Sequence, residues 1–249
     1  MNIGLYQSAA SLAALERWQD NVSQNITSAQ TTGYRKRTIE FSTETAGEIH
    51  PDSHSKLGID AGMPAVFPKT SAGINYTSGE TTPTRNELDF ALQGEGFFEV
   101  KMPDGTMGYT RSGEFRLRPD RTLVTSGNLE VMNSSGDPFV LLPGGGAVTV
   151  NQDGTITQGT TALGKLSIQK FANTAALRPS SGGMFTAGPG AGMSAVETPS
   201  LMQGYLEQSN VQPLREMVDL VIISRAYEAN QKMITTIDQE MQKALDALG

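Results

Sequence analysis

The sequence has no cysteine, and its 249 residues hold only two histidines, His50 and His54, and one tryptophan, Trp18. Without thiols there are no disulfides, no thiolate nucleophiles and no Cys-ligated zinc. The absence of cysteine also suits work outside the cytoplasm without oxidative folding. The histidines stand at i and i+4, a spacing at which a helix presents a pair of metal ligands. Here Pro51 lies between them and Ser, Asp and Lys surround them, so a solvated loop without fixed ligand geometry is expected. A Ser-His-Asp relay would need one of the same histidines, and no G-x-S-x-G elbow presents a serine. Gly94-x-Gly96 leads into a phenylalanine strand rather than a helix, which fails the dinucleotide fingerprint. Asp104-Gly105 and Asp153-Gly154 resemble fragments of calcium loops but lack the run of oxygen ligands, and read as hairpin turns. Aromatic residues are 6%, poor for a sugar-binding cleft, although the sequence alone leaves paired carboxylates for glycoside hydrolysis open. No metal, no cofactor and no catalytic centre is expected.

Positive charge and long apolar runs are also scarce. The net charge is −7 and the pI about 4.9, and the densest basic run, Arg35-Lys36-Arg37, is too short for a nucleic-acid-binding stripe. The longest apolar cluster, Leu220 to Ile223, is far too short to span a membrane. Residues 1–30 interleave Ser8, Glu16, Arg17, Gln19 and Asp20 among the apolar positions, so no Sec-type signal peptide is expected. A chain of this kind that leaves the cytoplasm needs a dedicated export route.

What is present lies first at the two ends. From Leu220 the heptad positions run Leu220, Ile223, Tyr227, Asn230, Ile234, Ile237, Met241, Ala244 and Leu248, and only Asn230 breaks the apolar seam. Near the N-terminus the same spacing gives Leu5, Ser8, Leu12, Leu15, Gln19, Val22 and Ile26, with Ala9 and Ala13 beside it. A 3.5-residue repeat holds one stripe of a helix against a partner, as in coiled coils. The first helix is predicted over Ile3 to Thr31, about 40 Å long at the α-helical rise, with Gly33 as its stop. Pro213 opens the second, since a first helical turn has no intrahelical use for the missing N–H.

Between the helices the pattern is different. Hydrophobic residues are 37%, below the usual globular share, and 27 glycines and 12 prolines imply many turns. Residues 46–86 read as an extended connector, broken by glycine and proline, with short strand pieces around 65–67 and 74–76. Residues 87–200 read as a β-rich domain with a turn signal every eight to twelve residues, an antiparallel sandwich or open barrel. Within it, 179–200 is expected to be loop-rich. The fold class is α+β. Residues 1–45 and 201–249 supply two halves of one helical domain around a connector and a mainly antiparallel β domain.

Three blocks of sequence resemble one family. The segment Ser23-Gln24-Asn25-Ile26-Thr27-Ser28-Ala29-Gln30-Thr31-Thr32-Gly33-Tyr34 looks like the N-terminal signature of bacterial flagellar rod and hook proteins, A-N-N-x-A-N-x-x-T-x-G-[FY]. Asn25, Thr31 or Thr32, Gly33 and Tyr34 fit it, whereas Gln24, Ser28 and Gln30 stand where asparagines are usual. Leu88-Asp89-Phe90-Ala91-Leu92-Gln93-Gly94-Glu95-Gly96-Phe97-Phe98-Glu99-Val100 resembles the family's L-D-x-A-I-x-G-x-G-F-F-x-V, continued by Tyr109 to Phe115 and Leu123 to Gly127. Gln203-Gly204-Tyr205-Leu206-Glu207-Gln208-Ser209-Asn210-Val211, then Arg225 to Lys232, complete the order near the C-terminus.

The resemblance implies a non-enzymatic building block of the flagellar axial structure, in the basal-body rod. Its partners would be further copies, other rod or hook subunits and the flagellar type III export apparatus, with no nucleic acid and no membrane insertion. The length, the absence of a large inserted domain and the short connector favour a rod protein over the hook subunit, and the short C-terminal tail with the segment Ala226 to Lys232 favours the proximal over the distal rod. The terminal helices would form the inner, coiled-coil layer of a helical tube and the β region an outer layer. An assembly interface is then expected at Leu12, Leu15, Val22, Asn25, Ile26, Leu220, Ile223, Tyr227, Asn230, Ile234, Ile237 and Met241, with Asn230 setting register. Two other classes compete: a glycan-active β-domain enzyme with oligomerising helical arms, and a compact monomeric binding module.

Overall fold

A computed structural model of the chain describes residues 3–49, 63–151 and 154–247. His50, His54, Asp153 and Leu248 lie outside the described residues. The chain divides into two compact bodies, one of residues 1–26, 37–73 and 213–249, the other of residues 27–36 and 74–212. It is α+β, as the sequence predicts.

The first body holds helices α1 (Ile3–Thr27) and α2 (Pro213–Asp246) and the paired strands β1 (Arg37–Ile49) and β2 (Met63–Ile74). Helix α1 ends at Thr27, four residues before the expected Thr31, because the β-branched and glycine-containing run that follows takes turns. Thr31 N–H donates to the Ser28 carbonyl and Tyr34 N–H to that of Thr31. The described parts of 46–86, expected as one extended connector, carry the end of β1, all of β2 and a further short strand, and are shared between the two bodies. Backbone pairing gives β1 and β2 the regular structure that their composition hides. At this pairing Gly73 passes so close to Thr38 that a Cβ would lie 2.9 Å from its hydroxyl. Phe41 of β1 meets Trp18 edge-on at 5.5 Å.

The second body is mainly β, with short 3-10 turns at Thr174–Ala176 and Ser181–Gly183. Its strands are β3 (Thr81–Pro83), β4 (Phe90–Gln93), β5 (Phe97–Lys101), β6 (Met107–Thr110), β7 (Phe115–Leu117), β8 (Leu123–Thr125), β9 (Glu130–Val131) and β10 (Val148–Val150). There follow β11 (Thr155–Gln158), β12 (Thr161–Lys165), β13 (Ile168–Phe171), β14 (Leu177–Pro179), β15 (Met184–Ala187), β16 (Met193–Ala195), β17 (Ser200–Gln203) and β18 (Tyr205–Glu207). The stretch 179–200, expected to be loop-rich, therefore contributes β15 and β16, which add to the main sheet by pairing with β6 and β13. That sheet runs β14-β15-β6-β5-β9-β8-β7, with β13 joining β5 and β16 joining β13. Beside it stand β10-β11-β12, β17-β4 and β18-β3, and every registered pair is antiparallel.

Neighbouring side chains of a strand point to opposite faces, and β5 shows the consequence. Phe98 enters a core with Phe90, Val100, Phe115, Leu123, Val131, Phe139, Ile156 and Ile168, whereas Phe97 packs with Tyr109, Phe171, Leu177 and Phe185 on the other side. The Asp104-Gly105 turn closes the β5–β6 hairpin, with Gly105 at φ +82°. Asp104 Oδ1 accepts from both the N–H and the hydroxyl of Thr106, which holds its carboxyl below the usual range.

Candidate assembly site

In the helical body the apolar seams do meet. Leu15 and Val22 of α1 and Ile223 of α2 form one buried cluster, with Trp18, Ile26, Leu220 and Ala226 packed against it. Leu12, Asn230, Ile234 and Ile237 are half-buried, while Tyr227 and Met241 are exposed. The Asn230 amide donates to the Ala226 carbonyl of its own helix. Asn25 is buried and acts as a clamp on the chain that returns after the turn. Its Oδ1 accepts from Arg37 N–H at 2.8 Å, and its Nδ2 donates to the Arg37 carbonyl at 2.9 Å and to Glu216 Oε2 at 3.0 Å. A primary amide suits this task because it offers an acceptor and two donors in one plane, the pattern of a peptide group.

Helix α2 also has a second apolar stripe, outside the expected seam. Leu214, Met217, Val218, Val221 and Ile222 follow i, i+3, i+4, i+7, i+8 spacing and so share one face. All five are exposed, Leu214 by 77%. Heptad counting from Leu220 selects a face on which the chain buries Ile223 and partly covers Leu220, Asn230, Ile234 and Ile237, and it passes over this second one.

In the β body the three blocks of family-like sequence converge on one buried ionic network, which no local pattern announces. Glu207, at the end of β18, is 2% exposed and lies between Arg35, 4% exposed, and Arg111, 2% exposed. Its Oε1 accepts from Arg35 Nη1 at 2.6 Å and from Gly79 N–H at 2.9 Å, and its Oε2 from Arg111 Nε at 2.6 Å. Arg111 also donates to the carbonyls of Leu92, Gly94 and Gly96. It thereby braces the left-handed Gly94–Gly96 turn, where both glycines have positive φ, ahead of β5. Arg35 also donates to the Thr77 carbonyl, and among the described residues its Nε has no acceptor. Burial pulls the Arg35 pKa below its ordinary value, against the opposing pull of Glu207.

Gly33 makes this convergence possible. Its φ is +68°, its N–H donates to the Glu207 carbonyl, and a Cβ there would lie 2.2 Å from the Ser112 nitrogen and 2.4 Å from the Arg111 carbonyl carbon. Only glycine fits both the torsion and the space. Gly113 is as confined, since its Cβ would lie 1.7 Å from the Phe90 carbonyl oxygen. Asn210 completes the junction by accepting from Lys36 N–H at 2.6 Å and donating to the carbonyls of Asn75 and Thr77.

Among the described residues no group of three or more His, Asp or Glu side chains could hold a metal, and no helix is long and apolar enough to cross a membrane. Tyr76 donates its hydroxyl to the Thr174 carbonyl and its pKa is pushed up to about 12, mainly by burial, with Arg35 pulling the other way.

Comparison with known proteins agrees with this architecture. Residues 202–247 match the family model "Flagellar basal body rod FlgEFG protein C-terminal", and residues 91–158 match "Flagellar hook protein FlgE/F/G D1 domain". The chain is 30% identical to the flagellar basal-body rod protein FlgF of Caulobacter vibrioides, over 100% of this chain and 99% of that one. It is 32% identical to the flagellar basal-body rod protein FlgG of Agrobacterium fabrum over 88% of each, and 29% identical to FlgF of Rhizobium meliloti over 100% and 99%. The chain thus belongs to the flagellar basal-body rod protein family, as a structural subunit of the basal body and not an enzyme, and within that family it is most like a proximal rod protein.

Proposed function

We propose that the chain polymerises into the helical axial tube that carries torque from the motor to the hook, with α1 and α2 in a coiled-coil inner layer. The observation that carries this is the exposed stripe Leu214, Met217, Val218, Val221 and Ile222. A monomer gains nothing from showing water a row of apolar side chains, whereas a neighbouring helix seated on it removes them from water. A contact whose rotation does not close extends as a filament. Leu12, Tyr227, Asn230, Ile234, Ile237 and Met241 serve the same assembly as seam positions that a single chain covers incompletely. The subunit reaches the periplasm-spanning rod through the flagellar type III export apparatus. A distal-rod or hook-type position is the second candidate, supported by the 32% identical FlgG relative.

The test is the double substitution V221D/I222D in the full chain. Circular dichroism should show the β signal of the purified protein intact, while sedimentation shows loss of polymer and the altered chain fails to restore motility to cells lacking the native one. Polymer formed as readily as by the native chain would rule the stripe out.

A further inference from the structure

Where the segment 27–36 meets strands β6 to β8, the β body holds a pocket of about 250 Å³. Thr110 and Thr125 line it and are only 2% and 8% exposed. Their hydroxyls accept from the N–H groups of Ser112 and Leu129, yet neither donates to an acceptor among the described residues. Thr32 and Ser112, also in the lining, share one hydroxyl hydrogen across 2.7 Å, which leaves the other over. A buried donor left unsatisfied costs free energy, so whatever fills the pocket has to accept these hydrogens.

The rest of the lining narrows the class of occupant. No Lys, Arg or His lines the pocket, so an anion finds no counter-charge there. The one charged lining side chain, Glu114, is paired with Arg116 at 3.0 Å, so no cation is called for. No aromatic ring is present to stack on a flat body. What fits is a neutral molecule that both accepts and donates hydrogen bonds and has C–H surface for Leu129 and Met184. At about 30 Å³ per water, the space equals that of about eight waters. That is room for one small ring, and less than the roughly 300–1,000 Å³ of drug-sized sites.

We infer that this pocket binds a single neutral sugar ring. Thr110 and Thr125 donate to ring oxygens, Glu114 accepts from a ring hydroxyl, and Leu129 and Met184 cover the C–H face. The ring belongs either to a free monosaccharide or to a glycan chain, since the exposed lining residues Gln30 and Ser126 leave the pocket open to solvent. The site is independent of how the subunits polymerise.

Saturation-transfer NMR on the full chain tests the inference, with glucose and N-acetylglucosamine as single rings and the linear tetramer of N-acetylglucosamine as a chain. Saturable binding is expected. Binding of a single ring without the tetramer identifies a free sugar, and binding of the tetramer identifies a glycan. Gly127→Leu should abolish binding by filling the pocket. A Cβ at Gly127 meets Thr125 Oγ1 at an ordinary 3.7 Å and its φ is not left-handed, so the fold is kept, which circular dichroism checks. Glu114→Gln should weaken binding about tenfold, the worth of one hydrogen bond to a charged group. Lys101→Glu, outside the pocket, should leave it unchanged. No saturable binding of any sugar, or binding indifferent to both pocket variants, overturns the inference. Binding of N-acetyl-glutamine-amide in place of the sugars also overturns it, by making a polypeptide side chain the occupant.

Discussion

Replacing Glu207 by Gln tests whether the buried network holds the β body together. The side chain keeps its shape and one oxygen, so Gly79 N–H can retain an acceptor, but the charge between Arg35 and Arg111 disappears. One carboxylate oxygen becomes an amino group facing a guanidinium that can only donate. Both salt-bridge contacts are 2.6 Å and all three side chains are nearly inaccessible to water. Screening therefore helps little, and breaking such a pair by removing one partner costs about 3–5 kcal/mol. In a body of about 150 residues each kcal/mol shifts the midpoint by roughly 2–4 °C, so a fall of about 10 °C is expected. The two bodies can be followed separately. Trp18, the single tryptophan, belongs to the helical body, so its fluorescence reports that part, and the far-ultraviolet dichroism transition that does not coincide with the Trp18 transition reports the other. The dichroism midpoint should drop. A double-mutant cycle with Arg35→Met should give a coupling of about 1–3 kcal/mol, because the second change removes the cation that the first left unpaired. A loss below about 1 kcal/mol for Glu207→Gln, the size of an exposed pair, would refute the reasoning by showing that water reaches the network.

Gly33→Ala should destabilise the β body by more than about 2 kcal/mol, since it combines left-handed strain with a clash against backbone atoms. Gly105→Ala, at a similar positive φ but with open space around it, should cost only about 1–2 kcal/mol in the same urea titration. Asn25→Ala should destabilise the helical body by roughly 2 kcal/mol, seen as an earlier Trp18 fluorescence transition, because Arg37 loses both backbone partners. Tyr76 gives a pH test. Its pKa is raised from 10.0 to about 12, so the unfolded chain releases this proton first, and stability present below pH 10 should decline as pH rises toward 12. Tyr76→Phe should flatten that decline in thermal midpoints measured across the same window.

Much of the architecture was legible because it is local. The two helices follow from a repeat uninterrupted by internal glycine or proline, and the β5–β6 hairpin from Asp104-Gly105 between apolar runs. The misplacements have physical causes. β1 is mostly polar, β2 contains Pro64 and Pro68, and each holds one glycine; they are strands because they pair with each other, which composition does not reveal. β15 and β16 sit among glycines for the same reason. The helix end at Thr27 rather than Thr31 reflects a competition between helix and turn that a β-branched run leaves close.

The sequence by itself determined the family, the helical ends, the β middle and the absence of cysteine chemistry, since each depends on residues near one another in the chain. Only the tertiary structure decided which face of α2 the chain covers and which it leaves bare. A period identifies a face but not its occupant. The tertiary structure likewise decided that Arg35 and Arg111, 172 and 96 residues from Glu207, share its carboxylate. Burial of a charge depends on what the rest of the chain places around it, and no window of sequence contains that information.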